Sequence, residues 1–477
     1  MNVISILKNK ILIYLVSRYL VYGIQFLTSI IVAAKLGAYY MGVWGFVLLL
    51  INYFSQFHLG IANALNVLLV QHKDNKCKYN EYVWNSLFAT LLLILFVALF
   101  YIYTEFVGID DIVKFHANKY VLPVCLIAML QYYNGIFTNI FRVENKLNSI
   151  SFCQSILVIL PFVCVFFFKG KILVDILVSC YLLGTMISFI YAICSKIIPI
   201  PNLSIFKKEM LKEILKKGVY LFLYNSCFAF IVISIRTIVS SNYSVNDFGK
   251  FTFAFTLGNA VMMLMDAFSF IAFPKVLSVL GDKKKSEVEY SLKYYSEIYT
   301  TCAHLVMYVF LLMMPALLYF MPQYSDSVPA FNIIGLALLM NAHNFLMSSF
   351  LIAKNMEKVS AKISMQGLIL NVVIAIFLVK GLYVAYNLVV LATLITYFFV
   401  TILTFNQCRK EIKISLRDVF PIRMVIPYIV ALILSIYSVS DFLWIPFILF
   451  VVLNFKRIVK LKDLTLRLIN DSNLINI

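Results

Sequence analysis

Residues 29–70 read SIIVAAKLGAYYMGVWGFVLLLINYFSQFHLGIANALNVLLV, and this stretch decides the fold class. A helix that crosses a bilayer needs about 20 predominantly apolar residues. The stretch holds the end of one such helix, a break near Leu36 and Gly37, and a second apolar run that is longer than a bilayer requires and is expected to tilt or fray. Segments of the same kind follow one another from Ile11 to Phe455 with short polar breaks. The 477-residue chain is 62% hydrophobic and only 13% charged, an apolar share that no water-soluble fold of this length can bury. The reading is an all-α integral membrane protein of about fourteen transmembrane helices, with spans at 11–35, 40–70, 82–104, 119–141, 151–168, 172–193, 217–239, 250–274, 297–321, 328–353, 363–379, 382–406, 422–438 and 440–455. Lys8 and Lys10 before the first span imitate a secretory signal, but the apolar stretch runs on to Ala34 without a small-residue cleavage site, so it is read as a retained helix.

A formal charge of +18 invites a nucleic-acid reading, which the placement of the charge excludes. Basic residues occupy every second loop: 31 of the 40 fall on one face and 7 on the other, with Arg18 and Arg236 inside spans. Short cytoplasmic loops retain Lys and Arg, so both termini are expected in the cytoplasm. The nine cysteines form no CxxC pair and read as small apolar residues, not a disulfide framework or zinc site.

The longest basic connection contains KKEMLKEILKK, which reads as an amphipathic helix on an anionic leaflet, linking two halves. A weak internal repeat supports two halves. LGAYYMGVWGFVLLL around Gly42 resembles SNYSVNDFGKFTFAFTL around Gly249, and QYYNGIFTNIFRVEN (Gln131 to Asn145) resembles NAHNFLMSSFLIAKN (Asn341 to Asn355) at nearly the same offset. The expected organisation is a six-helix lobe over 1–195, an amphipathic linker over 196–217, a second six-helix lobe in parallel repeat over 218–406, and a terminal helix pair with tail over 407–477.

Polar residues within spans are the functional candidates, because a charge at the bilayer centre costs about 2.5–3.5 kcal/mol on insertion scales. Arg18 shares a helical face with Tyr22, Gln25 and Ser29; Asn52, Gln56 and Asn63 form a comparable stripe, as do Thr252, Thr256, Asn259 and Asp266. For the Asn, Gln and Ser residues, interhelical hydrogen bonding is the plainer reading; Arg18 and Asp266 call for function. They are expected to face one another from the two lobes. Arg236 lies about a turn from a helix end, where a site role and snorkelling to the interface are both open. His304 and His343 read as satisfied or lumenal histidines, with proton relay the alternative.

Around Gly42, the small-residue run ending in Leu36-Gly37, the Gly-aromatic start of the next helix and LGIANAL resemble the opening hairpin of the Wzx-type O-antigen flippases of the multidrug/oligosaccharidyl-lipid/polysaccharide (MOP) superfamily. The resemblance extends in size, span number and repeat over essentially the whole chain. It implies translocation of an undecaprenyl-diphosphate-linked oligosaccharide across the inner membrane by alternating access, with Arg18, Gln25, Asn52, Gln56, Asn225, Arg236 and Asn259 as substrate-binding residues, Arg18 and Arg236 among them attracting the diphosphate, and Asp266 in a coupling or salt-bridge role. It implies membrane lipids as partners and no cofactor, with a proton or sodium counter-ion and the polysaccharide polymerase machinery as further candidates. A drug exporter of the same superfamily is the principal alternative. A major-facilitator sugar transporter fits less well, since the loop QHKDNKCKYNE lacks that family's signature. A membrane enzyme is disfavoured because the loops hold no paired carboxylates, metal-ligand spacing or phosphate-cradling glycine loop.

Overall fold

The computed structural model describes residues 10–198, 206–282, 285–439 and 442–470. Among these residues the secondary structure is helical throughout, without a strand. The helices are α1 (Lys10–Gln56), α2 (Ile61–Gln71), α3 (Lys76–Val107), α4 (Asp110–Lys114), α5 (Asn118–Val143), α6 (Leu147–Cys164), α7 (Gly170–Cys194), α8 (Lys208–Asn242), α9 (Val245–Asp282), α10 (Lys285–Tyr319), α11 (Val328–Ala353), α12 (Glu357–Ile376), α13 (Leu391–Glu411), α14 (Leu416–Val419), α15 (Ile422–Ile436) and α16 (Trp444–Asn470). Ten helical segments among the described residues are long and apolar enough to cross a membrane, and α2 and α15 are shorter apolar helices.

The burial pattern is inside-out, as lipid demands. Along α3, Asn85, Ser86 and Thr90 are buried while Leu92, Leu95 and Leu99 are more than half exposed. Along α12, Ser364 and Asn371 are buried while Met365, Ile369 and Val373 face outward. In water this arrangement would expose an apolar surface and sequester polar groups; in a bilayer both choices are favourable. The chain is a multi-pass membrane protein.

Two Leu-Gly pairs interrupt the opening run. Gly37 adopts φ 66°, ψ 174° inside α1 and bends it between the first two spans. Leu59 and Gly60, at φ 48° and 71°, end the next segment before α2 resumes it, and His58 Nδ1 accepts from the Gly60 N–H at 3.1 Å. The run 40–70 is therefore a broken pair of helices and not one over-long tilted one, because the Gly60 backbone conformation cannot continue a helix.

The helices sort into two compact units, one comprising Lys10–Thr252 and the other running from Phe253. In the first unit α6 packs on α7 and α1, α5 on α7 and α3, and α2 on α8. Its tightest seams are glycine seams. A Cβ on Gly249 would stand 1.8 Å from the Ala38 carbonyl oxygen and 2.8 Å from the Gly42 nitrogen; one on Gly42 would meet the Val245 carbonyl oxygen at 2.2 Å. The glycines paired by the sequence repeat thus lie against each other, letting backbones approach as small residues do in membranes. In the second unit the heavily buried α11 packs against α10, α13 and α15, and α15 packs on α16.

The second sequence repeat appears as one cap built twice. Asn145 after α5 and Asn355 after α11 both take left-handed conformations, φ 55° and 56°. In each case the next residue donates back into the last turn, Lys146 to Phe141 O and Met356 to Leu351 O, both at 2.8 Å. Within KKEMLKEILKK, Lys208–Lys217 forms the first turns of α8, continuous with the apolar span that follows. It docks on α3 through a Lys207–Glu81 ion pair, a Tyr82 hydroxyl donated to Glu213 at 2.7 Å and a Phe88–Phe206 ring contact. The segment 199–205 of the same connection lies outside the described residues.

Candidate functional site

In the first unit, Arg18 sits eight residues into α1, about 12 Å from its start at 1.5 Å per residue. Its Nε donates to the Tyr22 hydroxyl at 2.7 Å and its Nη1 to Gln154 Oε1 at 3.2 Å. The guanidinium carbon stands 5.5 Å from the Tyr22 ring centroid. Ser17 and Ser151 hydroxyls meet beside it at 2.9 Å. Arg18, Tyr22 and Gln25 from α1, Ser151, Gln154 and Ser155 from α6, and Tyr181 from α7 line a cleft of about 260 Å³. The stripe read from the sequence on α1 is therefore one wall of a polar cleft inside an apolar bundle. The opposing wall went unread. Its signal was present, since Ser151, Gln154 and Ser155 stand at i, i+3 and i+4 on one face of a helix.

The cleft gathers hydrogen-bond donors around one cation: guanidinium N–H groups, hydroxyls and primary amides. Such a set suits an oxyanion, above all a phosphate, whose oxygens match the fork of Arg.

Arg236 is placed differently. It is 3% exposed, its Nη2 donates to the Gly45 carbonyl at 2.8 Å, and its guanidinium carbon lies 6.0 Å from the Phe248 ring centroid. A Cβ on Gly45 would meet Thr252 Oγ1 at 2.3 Å, so the glycine lets α9 close on α1 beside this bond. The side chain is held within helix packing of the first unit. One residue on, Thr237 donates to the Ile233 carbonyl at 2.9 Å, so the hydroxyl bond it shares with Tyr53 has Tyr53 as donor.

Asn52, Gln56 and Asn225 lie in the first unit too, away from the Arg18 cleft lining. The Asn52 carbonyl accepts from Ser55 Oγ, Gln56 Nε2 donates to the same hydroxyl at 3.2 Å, and Asn225 is exposed. Asn259 belongs to the second unit and is partly exposed. The side chain of Asp266 lies outside the described residues, and with it the expected Arg18–Asp266 pairing. In α5, the plainer reading of membrane polar residues holds for Asn134 and Asn139, which donate to the carbonyls of Thr185 and Ala62 at 3.0 and 2.7 Å. All nine cysteines are free. Among the described residues no three His, Cys, Asp or Glu side chains cluster as a metal site.

A family of polysaccharide biosynthesis proteins matches residues 7–274. Among solved structures, the chain is similar to the lipid II flippase MurJ in an inward closed conformation, at TM-score 0.68 and 16% identity, covering 95% of this chain and 99% of that one. It is similar to an inward-facing multidrug resistance MATE family transporter of the MOP superfamily, at TM-score 0.66 and 15% identity, covering 82% and 93%. A third similar structure is a MOP superfamily transporter from Pyrococcus furiosus, at TM-score 0.56 and 14% identity, covering 83% and 93%. These likenesses give the chain the fold of MOP superfamily transporters. No curated protein sequence matches this one.

Proposed function

Because the chain belongs to the polysaccharide biosynthesis protein family, we propose that it is a flippase carrying an undecaprenyl-diphosphate-linked oligosaccharide, an O-antigen or capsule repeat unit, from the cytoplasmic to the periplasmic leaflet of the inner membrane. The observation that carries this reading is the polar cleft around Arg18. The guanidinium attracts the diphosphate, whose charged oxygens displace the neutral acceptors Tyr22 and Gln154, since charge-assisted hydrogen bonds are about twice as strong as neutral ones. Gln25, Gln154 and Ser155 then hold the remaining phosphate oxygens, Arg236 joins Arg18 in attracting the diphosphate, and Asn52, Gln56, Asn225 and Asn259 serve the sugar path. The polyprenyl tail stays in lipid throughout.

No covalent bond is made or broken in this scheme. Two lobes, 1–195 and 218–406, alternate access to the substrate, with 407–477 as an accessory pair and both termini cytoplasmic. Asp266 couples transport to a counter-ion, a proton or sodium, and the product passes to a polysaccharide polymerase. Deletion and complementation test the reading. Arg18→Ala is expected to leave a deletion strain without surface polysaccharide, and Arg18→Lys to restore a fraction; full restoration by Arg18→Ala sinks the diphosphate assignment. Normal polysaccharide in a deletion strain that lacks any paralogue, together with drug sensitivity, favours the exporter alternative.

A further inference from the structure

The second unit holds two buried histidines that the transport scheme above leaves unused. His304 on α10 and His343 on α11 are both almost wholly buried, and their Nε2 atoms stand 3.0 Å apart. His343 Nδ1 lies 2.8 Å from the Val419 carbonyl in α14. A carbonyl only accepts, so His343 carries its hydrogen on Nδ1. In the neutral pair its Nε2 is therefore an acceptor, and the hydrogen between the rings belongs to His304 Nε2. The assignment leaves His304 Nδ1 as a bare lone pair, a buried atom with no hydrogen-bond partner.

One more proton fits this arrangement without breaking a bond. Added at His304 Nδ1, it leaves the Nε2–H···Nε2 contact in place and makes it charge-assisted, while the Val419 bond is undisturbed. A second proton is excluded, because it would set two N–H donors face to face. Burial and the neighbouring His343 oppose a charge on His304, and the rings around it offset part of that cost. The Phe450 ring lies nearly parallel to the imidazole, 12° and 5.5 Å between centroids, with Tyr308 at 5.6 Å and Tyr428 at 6.4 Å. Phe450 and Tyr308, the two of these rings whose centroids lie within 6 Å, offset part of the desolvation that burial imposes on an imidazolium.

The titratable groups that face His304 are Tyr308 from α10 itself, His343 from α11 and Tyr428 from α15; α16 presents Phe450 and α14 the Val419 carbonyl behind His343. Charged groups of α10 lie toward its start, where Lys293 pairs with Asp418 and Glu297 with Arg457. Asp326, in the turn packed at the far end of α10, has its carbonyl engaged by the Tyr386 hydroxyl.

We propose that His304 Nδ1 is a single-proton binding site, and that this proton is the counter-ion of the transport proposed above, on which this second clause rests. The site lies where α10, α11, α14, α15 and α16 meet, so loading it tightens the terminal helix pair onto α10 and α11, and emptying it loosens that joint.

Two measurements on the full-length protein test the proposal. The first is a pH titration of the histidine-15N-labelled protein in nanodiscs, with the two rings assigned by subtraction using His304→Gln and His343→Gln. Expected is a neutral pair with hydrogens on His304 Nε2 and His343 Nδ1, then, on acidification, protonation at His304 Nδ1 while the His343 tautomer persists. A His304 Nδ1 that stays bare down to the unfolding pH overturns the site, as does first protonation at His343. Gln can still donate to His343 Nε2, so His304→Gln keeps the contact; unfolding of both variants would leave the wild-type titration alone to decide. The second measurement places wild type in vesicles containing a pH-sensitive dye and adds the lipid-linked oligosaccharide that a deletion strain accumulates. A proton movement lost in His304→Gln is expected; an equal movement in both overturns the coupling clause. If the deletion strain accumulates no such lipid, the flippase reading fails, and the titration still decides the proton site.

Discussion

Gly37 and Gly23 make a matched pair that isolates the backbone strain on which the first bend depends. An added Cβ meets nothing within 4 Å at either residue, so Ala at each tests conformation and not space. Gly37 stands at φ 66°, ψ 174°, a region that essentially only glycine occupies. Forcing Ala into it costs about 1–3 kcal/mol, a shift of about 5- to 150-fold in the folded-to-unfolded ratio. Gly23 lies in the interior of α1, where Ala is favoured over Gly by about 0.5–1 kcal/mol. The two variants are therefore expected to move stability in opposite directions and to differ by about 1.5–4 kcal/mol. Unfolding of the purified full-length protein by dodecyl sulfate in bicelles, read by tryptophan fluorescence, measures this; Trp44 is buried against Tyr181 just beyond the bend. If Gly37→Ala were as stable as Gly23→Ala, the bend would not need a positive φ and the reasoning would fail.

Gly249→Leu drives a side chain into the Ala38 carbonyl, and the expected loss is at least the 1–3 kcal/mol typical of overpacking, read in the same unfolding assay. Replacing Gln154 with Leu removes an acceptor from Arg18 and polarity from the cleft; polysaccharide export is expected to fall several-fold while unfolding stays near wild type. Desolvation pushes the Asp418 carboxyl up, but the Ser415 N–H and hydroxyl and the Lys293 ammonium outweigh it and hold the group below its usual range. Its contribution is therefore full above about pH 4 and is lost as pH falls through the depressed value. Solvent screening keeps it under about 1 kcal/mol, and Asp418→Asn is expected to flatten that acid limb of the stability curve.

How far the sequence was legible follows from what each signal measures. Hydropathy marks lipid contact directly, so the expected span 328–353 coincides with α11, Val328–Ala353, whereas the polar start of α10 and the basic end of α16 extend those helices about 12 and 15 residues beyond the apolar runs 297–321 and 440–455. The repeat was legible because Gly42 and Gly249, and Asn145 and Asn355, meet backbone requirements that few residues satisfy. The break at Phe57–Gly60 escaped because Leu59 and Gly60 sit inside an unbroken apolar run, and hydropathy is blind to φ. That Lys208–Lys217 runs unbroken into the rest of α8 carries no mark in its charge pattern, nor do the Lys207–Glu81 and Tyr82–Glu213 contacts to α3. Within the candidate site the Arg18 face was readable from helical spacing. Its partner Gln154 was not, since which polar stripe meets which is decided by helix packing. The His304–His343 bond was hidden for the same reason: residues on separate helices carry no local mark of their pairing.

The central claim, movement of a diphosphate-linked oligosaccharide between leaflets, is tested most directly by reconstitution. The full-length protein is placed in vesicles bearing the lipid-linked oligosaccharide from a deletion strain, and the sugar exposed to an impermeant glycosidase is followed over time. The account predicts that the accessible fraction rises with wild type and stays at the protein-free level with Arg18→Ala. An unchanged fraction with active-folded wild type, or an equal rise with Arg18→Ala, would contradict it.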